Sequence, residues 1–339
     1  MAKRILGFLL VACNLFAGCV SPGRVNGATG GGGGSITGQL YVATPSSILR
    51  FSSALTANGN IAPAATISGA ATGLSSPQRI SLDTSTDRLF VANQGANSVL
   101  IFDNVSTLTG NVAPSRTLVG ASTLLAAPTD LAVDGANNLL YVASGTNILV
   151  FAAASTINGN SPPVRNINMG VTVSGLFLDA TNNRLYVADG VNNAVDRLDG
   201  ASAQDVIGIV GGSIAGPLTL LSNPTGMTLD ANGRLFVSNS SAPLSITIYT
   251  GASVATGNIA PAASLSGAST GFAGPGPMAF NKTVTTGEVF IADSLSAGIL
   301  IYTNTDSANG NLAPSRTIKG AATGLVANGI KGIALDTSR

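Results

Sequence analysis

The sequence predicts an all-β protein, a six-bladed β-propeller with four strands per blade. One four-residue apolar segment occurs six times, at intervals of 49, 51, 45, 50 and 54 residues. Short β-segments with a period near 50 are typical of propeller blades. The chain has 42 Gly, only 9% charged residues and a single Glu, Glu288. This composition disfavours helices and favours short strands joined by tight turns.

Residues 1–18 resemble a bacterial lipoprotein signal peptide. Lys3 and Arg4 precede an apolar stretch, residues 5–17, that is too short to span a bilayer. The following Leu-Phe-Ala-Gly-Cys, residues 15–19, resembles a lipobox, although Phe16 stands where Leu is usual. The resemblance implies a lipid on Cys19 and a protein anchored in the bacterial cell envelope, at the outer membrane, in the periplasm or on the surface. An ordinary signal peptide with a chance Cys is the alternative.

Residues 19–38 form the predicted lipidated Cys and tether, and residues 39–339 the propeller. Five consecutive glycines, Gly30 to Gly34, indicate a flexible segment. Without its leader the chain has 14 basic and 15 acidic residues. Because this leaves no basic surface, we expect no nucleic-acid binding and a membrane contact through the lipid only. We also expect a monomer.

Each repeat contains a frame of three recognisable strands. The six apolar copies form the second strand and begin at Leu40, Leu89, Leu140, Leu185, Leu235 and Val289. A strand ending in Asp or Asn precedes the copies, as in Ile80 to Asp83, and a third strand such as Val99 to Phe102 follows. Gly-Asn-x-Ala-Pro or a close variant comes next in five repeats, whereas the fourth repeat has Val206-Ile-Gly-Ile-Val210.

This pattern resembles the NHL-repeat propellers. Pro128-Thr-Asp-Leu-Ala-Val-Asp134 and Pro224-Thr-Gly-Met-Thr-Leu-Asp230 carry the resemblance best. It implies that the strand ending in Asp is the innermost of each blade. The propeller then starts on a second strand at Leu40 and ends on an innermost strand at residues 332–336. We therefore expect a composite blade made of the C-terminal strand and three N-terminal strands.

Polar residues recur at two positions of the repeat. Asp83, Asp134, Asp179, Asp230 and Asp336 end the inner strands, and we interpret them as turn residues that accept backbone N–H groups. The second position follows the second strand and holds Asn93, Asp189, Asn239 and Asp293. Turn capping is again the interpretation, and these four are also weak candidates for a Ca²⁺ site, because Ca²⁺ prefers oxygen ligands. No other cofactor is expected.

The predicted channel mouth holds the candidate ligand site. Arg79 and Asp130 replace the Gly or Pro found there in the other repeats, and Gln78 and Lys331 lie beside them in sequence or in the ring. One hypothesis is a polar pocket for a small polar or anionic ligand. The other is an Arg79–Asp130 ion pair that only braces the mouth.

The absence of His argues against serine-type catalysis and against His-ligated zinc. No catalytic residue is predicted. The leading hypothesis is a non-enzymatic, envelope-anchored module that binds a protein, peptide or glycan. The alternatives are a divalent-metal-dependent hydrolase or lactonase and a structural envelope protein. Propeller lactonases use a metal-binding Glu, but Glu288 lies in a second strand, so that resemblance fails at its best-defined residue.

Overall fold

The computed structural model describes residues 37–203 and 211–339. The predicted signal peptide, the lipid on Cys19 and most of the predicted tether lie outside the described residues. The described chain contains 24 strands and nine short 3-10 helices. Among the described residues, no helix has the length and apolar character needed to cross a membrane.

The strands form six separate antiparallel sheets of four strands each, which confirms the predicted propeller. The first three blades contain β1 (Gln39–Ala43), β2 (Ser47–Ser52), β3 (Ala65–Ser68), β4 (Pro77–Asp83), β5 (Arg88–Asn93), β6 (Ser98–Asp103), β7 (Arg116–Leu118), β8 (Asp130–Asp134), β9 (Leu139–Ser144), β10 (Asn147–Ala152) and β11 (Arg165–Asn168). The last three contain β12 (Gly175–Asp179), β13 (Arg184–Asp189), β14 (Ala194–Asp199), β15 (Gly211–Ala215), β16 (Pro224–Leu229), β17 (Leu235–Asn239), β18 (Ser245–Tyr249), β19 (Ala263–Ser266), β20 (Pro275–Asn281), β21 (Glu288–Asp293), β22 (Gly298–Thr303) and β23 (Arg316–Lys319).

The last strand, β24 (Gly332–Asp336), completes the first blade. It pairs antiparallel with β1, with Leu335 opposite Leu40 and Gly332 opposite Ala43, so the strand order is β24-β1-β2-β3. The predicted composite blade is therefore present. The backbone N–H of Gly38 also donates to the carbonyl of Arg339 at 2.9 Å, which holds the two ends of the propeller together.

The core consists of six apolar clusters, one at each seam between neighbouring blades. In β1, Leu40 and Val42 pack toward the sixth blade, whereas Tyr41 and Ala43 pack toward the second. Both faces of a second strand are thus buried. This explains why these strands are apolar at every position rather than at alternate positions.

The Gly-Asn elements link neighbouring blades, a role that the sequence pattern did not reveal. We call each element a clasp; the clasp glycines are Gly59, Gly110, Gly159, Gly257 and Gly310. Each bridges the outermost strand of the preceding blade: Gly110, for example, donates to the Thr66 carbonyl at 2.6 Å and accepts from the Ser68 N–H at 3.0 Å. Their φ values of 64° to 82° favour glycine. The clasps therefore cover strand edges that would otherwise be open.

The Asn after each clasp glycine fastens a second element of the preceding blade. Asn111 Oδ1 accepts the backbone N–H of Ala71 at 2.8 Å, and Asn160 Oδ1 accepts that of Ser122 at 2.7 Å. Both N–H groups belong to a short 3-10 helix that follows a fourth strand. One clasp thus fixes both the edge of a blade and the start of its connection to the next blade.

The antiparallel order divides the loops between two faces. Inner strands begin on one face, which also carries the loops from second to third strands and the connections between blades. These loops contact one another, as in the hydrogen bond from the Asn328 N–H to the Ser294 carbonyl at 2.8 Å. We call this the mouth-bearing face, because Arg79 and Asp130 lie there. Inner strands end on the opposite face.

Candidate functional site

The six inner strands enclose a central channel whose lining residues are mostly apolar. Its upper part is a cavity of about 280 Å³, with Arg79 and Asp130 at the mouth and Leu131, Leu176 and Met227 along its wall. The lower part is a cavity of about 320 Å³ that opens on the opposite face. The two cavities share part of their lining, including Phe177 and Met278.

The backbones of neighbouring inner strands approach closely at the mouth. A Cβ atom on Gly175 would lie 2.1 Å from the Thr225 carbonyl oxygen, and one on Gly226 would lie 2.1 Å from that of Gly276. Real Cβ atoms do not come this close to backbone oxygens. Glycine is therefore required where the ring is tightest, and among the described residues the mouth receives the side chains of Arg79, Asp130 and Pro277.

Arg79 and Asp130 close the mouth. Arg79 Nε lies 3.9 Å from Asp130 Oδ2, and Arg79 Nη2 donates to the carbonyl of Thr225 at 3.0 Å. Thr225 belongs to the fifth blade, opposite Arg79 in the ring, so the guanidinium crosses the channel. Asp130 also accepts the backbone N–H groups of Leu131 at 2.7 Å and Leu176 at 2.8 Å. The two side chains therefore bridge four blades.

Burial dominates the electrostatics of this pair. It raises the pKa of Asp130 to about 6, although Arg79 and the two backbone N–H groups act in the opposite direction. Burial also lowers the pKa of Arg79, and the charge of Asp130 only partly offsets this. Both shifts mean that the attraction between the two charges across 3.9 Å stabilises them by less than the loss of hydration destabilises them.

The structure brings together two of the four predicted mouth residues. Gln78 Nε2 donates to Gln94 Oε1 at 3.0 Å on the surface, and the Lys331 backbone N–H donates to the Ala43 carbonyl at 2.9 Å. Neither lines the channel cavity. The geometry of Arg79 and Asp130 is that of a brace, and a ligand role for the four residues stays a prediction.

The four weak metal candidates lie in four different blades, and each accepts backbone N–H groups from nearby loops. Asp189 Oδ1 accepts the Asn192 N–H at 3.0 Å and Asp293 Oδ1 the Ser296 N–H at 2.9 Å, both within the turn that follows. Asn93 Oδ1 accepts the Ser75 N–H at 2.7 Å and Asn239 Oδ1 the Ser222 N–H at 2.9 Å, both in the connection that precedes the inner strand of the blade. Within residues 37–203 and 211–339, no three His, Cys, Asp or Glu side chains are placed to share a metal ion. A calcium site therefore stays a hypothesis.

The Asp residues that end the inner strands also hold turns. Asp134 Oδ1 accepts the Asn137 N–H at 3.0 Å, and Asp179 Oδ1 accepts the Asn182 N–H at 3.2 Å. At Asp83, hydrogen bonds from Ser85 and Thr86 outweigh the effect of burial and lower the pKa of the carboxyl. These contacts agree with the interpretation of the set as turn residues.

The two faces of the propeller differ in their content of charged residues. The loops from second to third strands and the connections between blades contain no Asp, Glu or Arg, and the one Lys in them is Lys331, while Lys319 ends β23 beside them. The acidic and basic residues of the turns lie on the opposite face, where Asp103 pairs with Arg116 at 3.0 Å and Asp230 with Arg234 at 2.5 Å. A face without exposed carboxylates or guanidiniums has a low desolvation cost on association.

Exposed apolar side chains occur on this charge-poor face. They are Val119, Leu124, Val191, Leu218, Leu220, Leu295 and Val326, of which Val191 is 71% exposed. The sequence pattern does not single them out, because a Leu or Val in a loop carries no periodic signal. The low charge of these loops is visible in the sequence, but only the strand order shows that they all lie on one face.

Comparisons with known proteins show the fold but no family. No protein-family model and no curated protein sequence matches this chain. A similar fold occurs in the crystal structure of a nidogen/laminin complex. One of its chains matches this chain with a TM-score of 0.60 and 12% identity, covering 88% of this chain and 98% of that one. At this identity the likeness shows the propeller fold alone, and the NHL resemblance stays a prediction.

Proposed function

We propose that this protein is a non-enzymatic binding module that holds a protein partner on its mouth-bearing face. The observation that carries the proposal is the absence of exposed carboxylates and guanidiniums from the described loops of that face, together with its seven exposed Leu and Val side chains. Depletion of charge and exposed apolar side chains are typical of protein interfaces. The similar chain in the nidogen/laminin structure comes from a complex, which supports such a role for this fold.

A matched pair of substitutions tests this proposal. Val191 lies on the mouth-bearing face and Val254 in a third-to-fourth-strand loop on the opposite face, and the two are 71% and 74% exposed. The wild type and the Val191→Asp and Val254→Asp variants would be immobilised and incubated with envelope extract of the producing bacterium. Quantitative mass spectrometry should find a protein held by the wild type and Val254→Asp but lost from Val191→Asp. Equal capture by all three would contradict the proposal.

We propose further that the module is anchored in the bacterial envelope through a lipid on Cys19. The leader, the Cys and the glycine run that follows support this proposal. Metabolic labelling with an alkyne analogue of palmitate should label the wild type and leave Cys19→Ser unlabelled. Equal labelling of both, or none of the wild type, would contradict the anchor.

A further inference from the structure

A pocket lies at the seam between the fourth and fifth blades, on the face opposite the mouth-bearing face. Its volume is about 320 Å³, which is at the lower end of the range of ligand pockets. The fourth blade contributes the turn between β12 and β13, and the fifth blade contributes the turn between β16 and β17 and the loop after β18. The polar residues that line the pocket are Asp179, Asn182, Arg184, Tyr186, Asn232 and Ser253.

Tyr186 contributes a buried hydroxyl to the wall of this pocket. The residue is 1% exposed, and its Oη has no hydrogen-bond partner among the described residues. Burial raises the pKa of the hydroxyl, and the charges of Asp179 and Arg184 raise and lower this pKa in turn, because both side chains lie near it. The hydroxyl therefore keeps its proton at neutral pH. A buried donor without an acceptor costs free energy, which a ligand that supplies the acceptor would recover.

The first blade shows why the Tyr186 hydroxyl is unpaired. Its equivalent there, Tyr41, donates to Gln39 Oε1 at 2.8 Å, two residues earlier in the same strand. In the fourth blade that position holds Arg184, whose guanidinium has donors only. Arg184 Nε donates to Asp199 Oδ1 at 3.0 Å, and its two Nη groups make no hydrogen bond with the described residues. The pocket therefore presents a phenol and a guanidinium side by side.

An equivalent pocket between the second and third blades provides an internal comparison. Its volume is about 250 Å³, and it has Phe90 at the position of Tyr186 and Arg88 at that of Arg184. Phe occupies this strand position in three of the six blades, so the packing of a seam does not need the hydroxyl. In the third blade the position holds Tyr141, which lies beside the guanidinium of Arg165. The hydroxyl of Tyr186 thus has no evident role in the fold itself.

The charges of the pocket favour a neutral, hydroxylated ligand. Arg184 offers donors, and Asp179, which accepts from Asn182 at 3.2 and 2.8 Å, has further lone pairs to offer. An anion would be repelled by Asp179 and a cation by Arg184. An apolar ligand would leave the Tyr186 hydroxyl unpaired. The hydroxyl groups of a sugar both accept from a guanidinium or phenol and donate to a carboxylate, so a sugar satisfies all three side chains.

We propose that the pocket between the fourth and fifth blades binds a sugar unit, either a free monosaccharide or the end of a glycan. Arg184 and Tyr186 donate hydrogen bonds to sugar oxygens, and Asp179 accepts one from a sugar hydroxyl. The pocket lies on the face opposite the proposed protein-binding surface. The proposal therefore does not depend on the function proposed above, and the two can fail separately.

NMR titrations of the isotope-labelled wild-type protein test this proposal. The probes are glucose, galactose and N-acetylglucosamine, the disaccharides cellobiose, lactose and chitobiose that end in these sugars, and inorganic phosphate as an anion. At least one sugar should bind with a Kd of about 10 mM or tighter and shift the side-chain amide signals of Asn182 and Asn232, whereas phosphate should not. Tighter binding of the disaccharide would identify the end of a glycan as the ligand, and tighter binding of the monosaccharide would identify a free sugar.

Two matched pairs of variants separate ligand binding from a structural role. Arg184→Gln removes the donors and places an acceptor beside Tyr186, as Gln39 does beside Tyr41, so it should weaken sugar binding about tenfold or more. Arg88→Gln, at the equivalent position of the other pocket, should leave the affinity unchanged. Tyr186→Phe should weaken binding about threefold or more, and Tyr141→Phe should not. Urea unfolding should show that Tyr186→Phe is at least as stable as the wild type, because the unpaired hydroxyl is removed.

Three results would overturn the proposal. One is that none of the six sugars shifts the signals of the pocket, and another is that phosphate shifts them as strongly as the best sugar. The third is an equal sugar affinity of Arg184→Gln and Arg88→Gln, or of Tyr186→Phe and the wild type, since the sugar would then bind elsewhere on the propeller.

Discussion

Replacement of Asp130 by Asn should stabilise the protein at neutral pH. Burial raises the pKa of Asp130 to about 6 from an ordinary value near 4. A difference of about two pH units corresponds to about 3 kcal/mol between the charged and neutral forms. Asn removes the buried charge but has one acceptor oxygen in place of the two that bind Leu131 and Leu176. The expected net gain at pH 7 is therefore about 1 to 3 kcal/mol.

The sign of the pH dependence follows from the direction of the shift. Because the folded state holds the Asp130 proton more tightly than the unfolded state, this group stabilises the fold fully below pH 4. The stabilisation is lost as the pH rises through about 6. Urea unfolding of the wild type and Asp130→Asn at several pH values should show a stability difference that is near zero at pH 4 and largest at pH 7.

Asp83, in the same blade as Arg79, provides a control because its pKa shifts in the opposite direction to that of Asp130. Hydrogen bonds from Ser85 and Thr86 lower the pKa of its carboxyl, so it stabilises the fold above about pH 4 and this contribution is lost in acid. Asp83→Asn should therefore destabilise the protein at pH 7 and have little effect in acid. An Asp130→Asn variant that is less stable than the wild type at pH 7 would refute the reasoning, because Arg79 would then outweigh the cost of burying the charge.

Three further predictions concern backbone geometry and metal binding. Gly110→Ala should lower the free energy of unfolding by about 1 to 2 kcal/mol, because Ala is strained at the φ of +80°. The new Cβ would meet open space, so no steric clash adds to this cost. An unchanged urea midpoint would contradict this prediction. Gly175→Ala should cost about 3 kcal/mol or more, because its Cβ would lie 2.1 Å from the Thr225 carbonyl oxygen, and a smaller loss than in Gly110→Ala would show that the mouth can widen. Thermal unfolding should be insensitive to Ca²⁺ and to chelator, since the four candidate ligands lie in separate blades and their side-chain oxygens accept backbone N–H groups. A rise in the midpoint with Ca²⁺ that chelation reverses would instead favour the metal-dependent hydrolase hypothesis.

The sequence alone was sufficient to predict the six-bladed architecture of this protein. Six copies of one strand at a period near 50 determine the number of blades, and the order of strand types at the two ends predicts the composite blade. This information is local: each copy is a contiguous apolar segment bounded by turn residues, and burial of both strand faces leaves a pattern that a single segment displays.

Only the tertiary structure decided which residues meet across the ring. Arg79 contacts the Thr225 carbonyl 146 residues away, and each clasp bonds to the blade before it. Such contacts join segments far apart in the chain, and their partners are set by the closure of the ring rather than by local pattern. The sequence therefore predicts the blades, and their packing determines the mouth and the clasps.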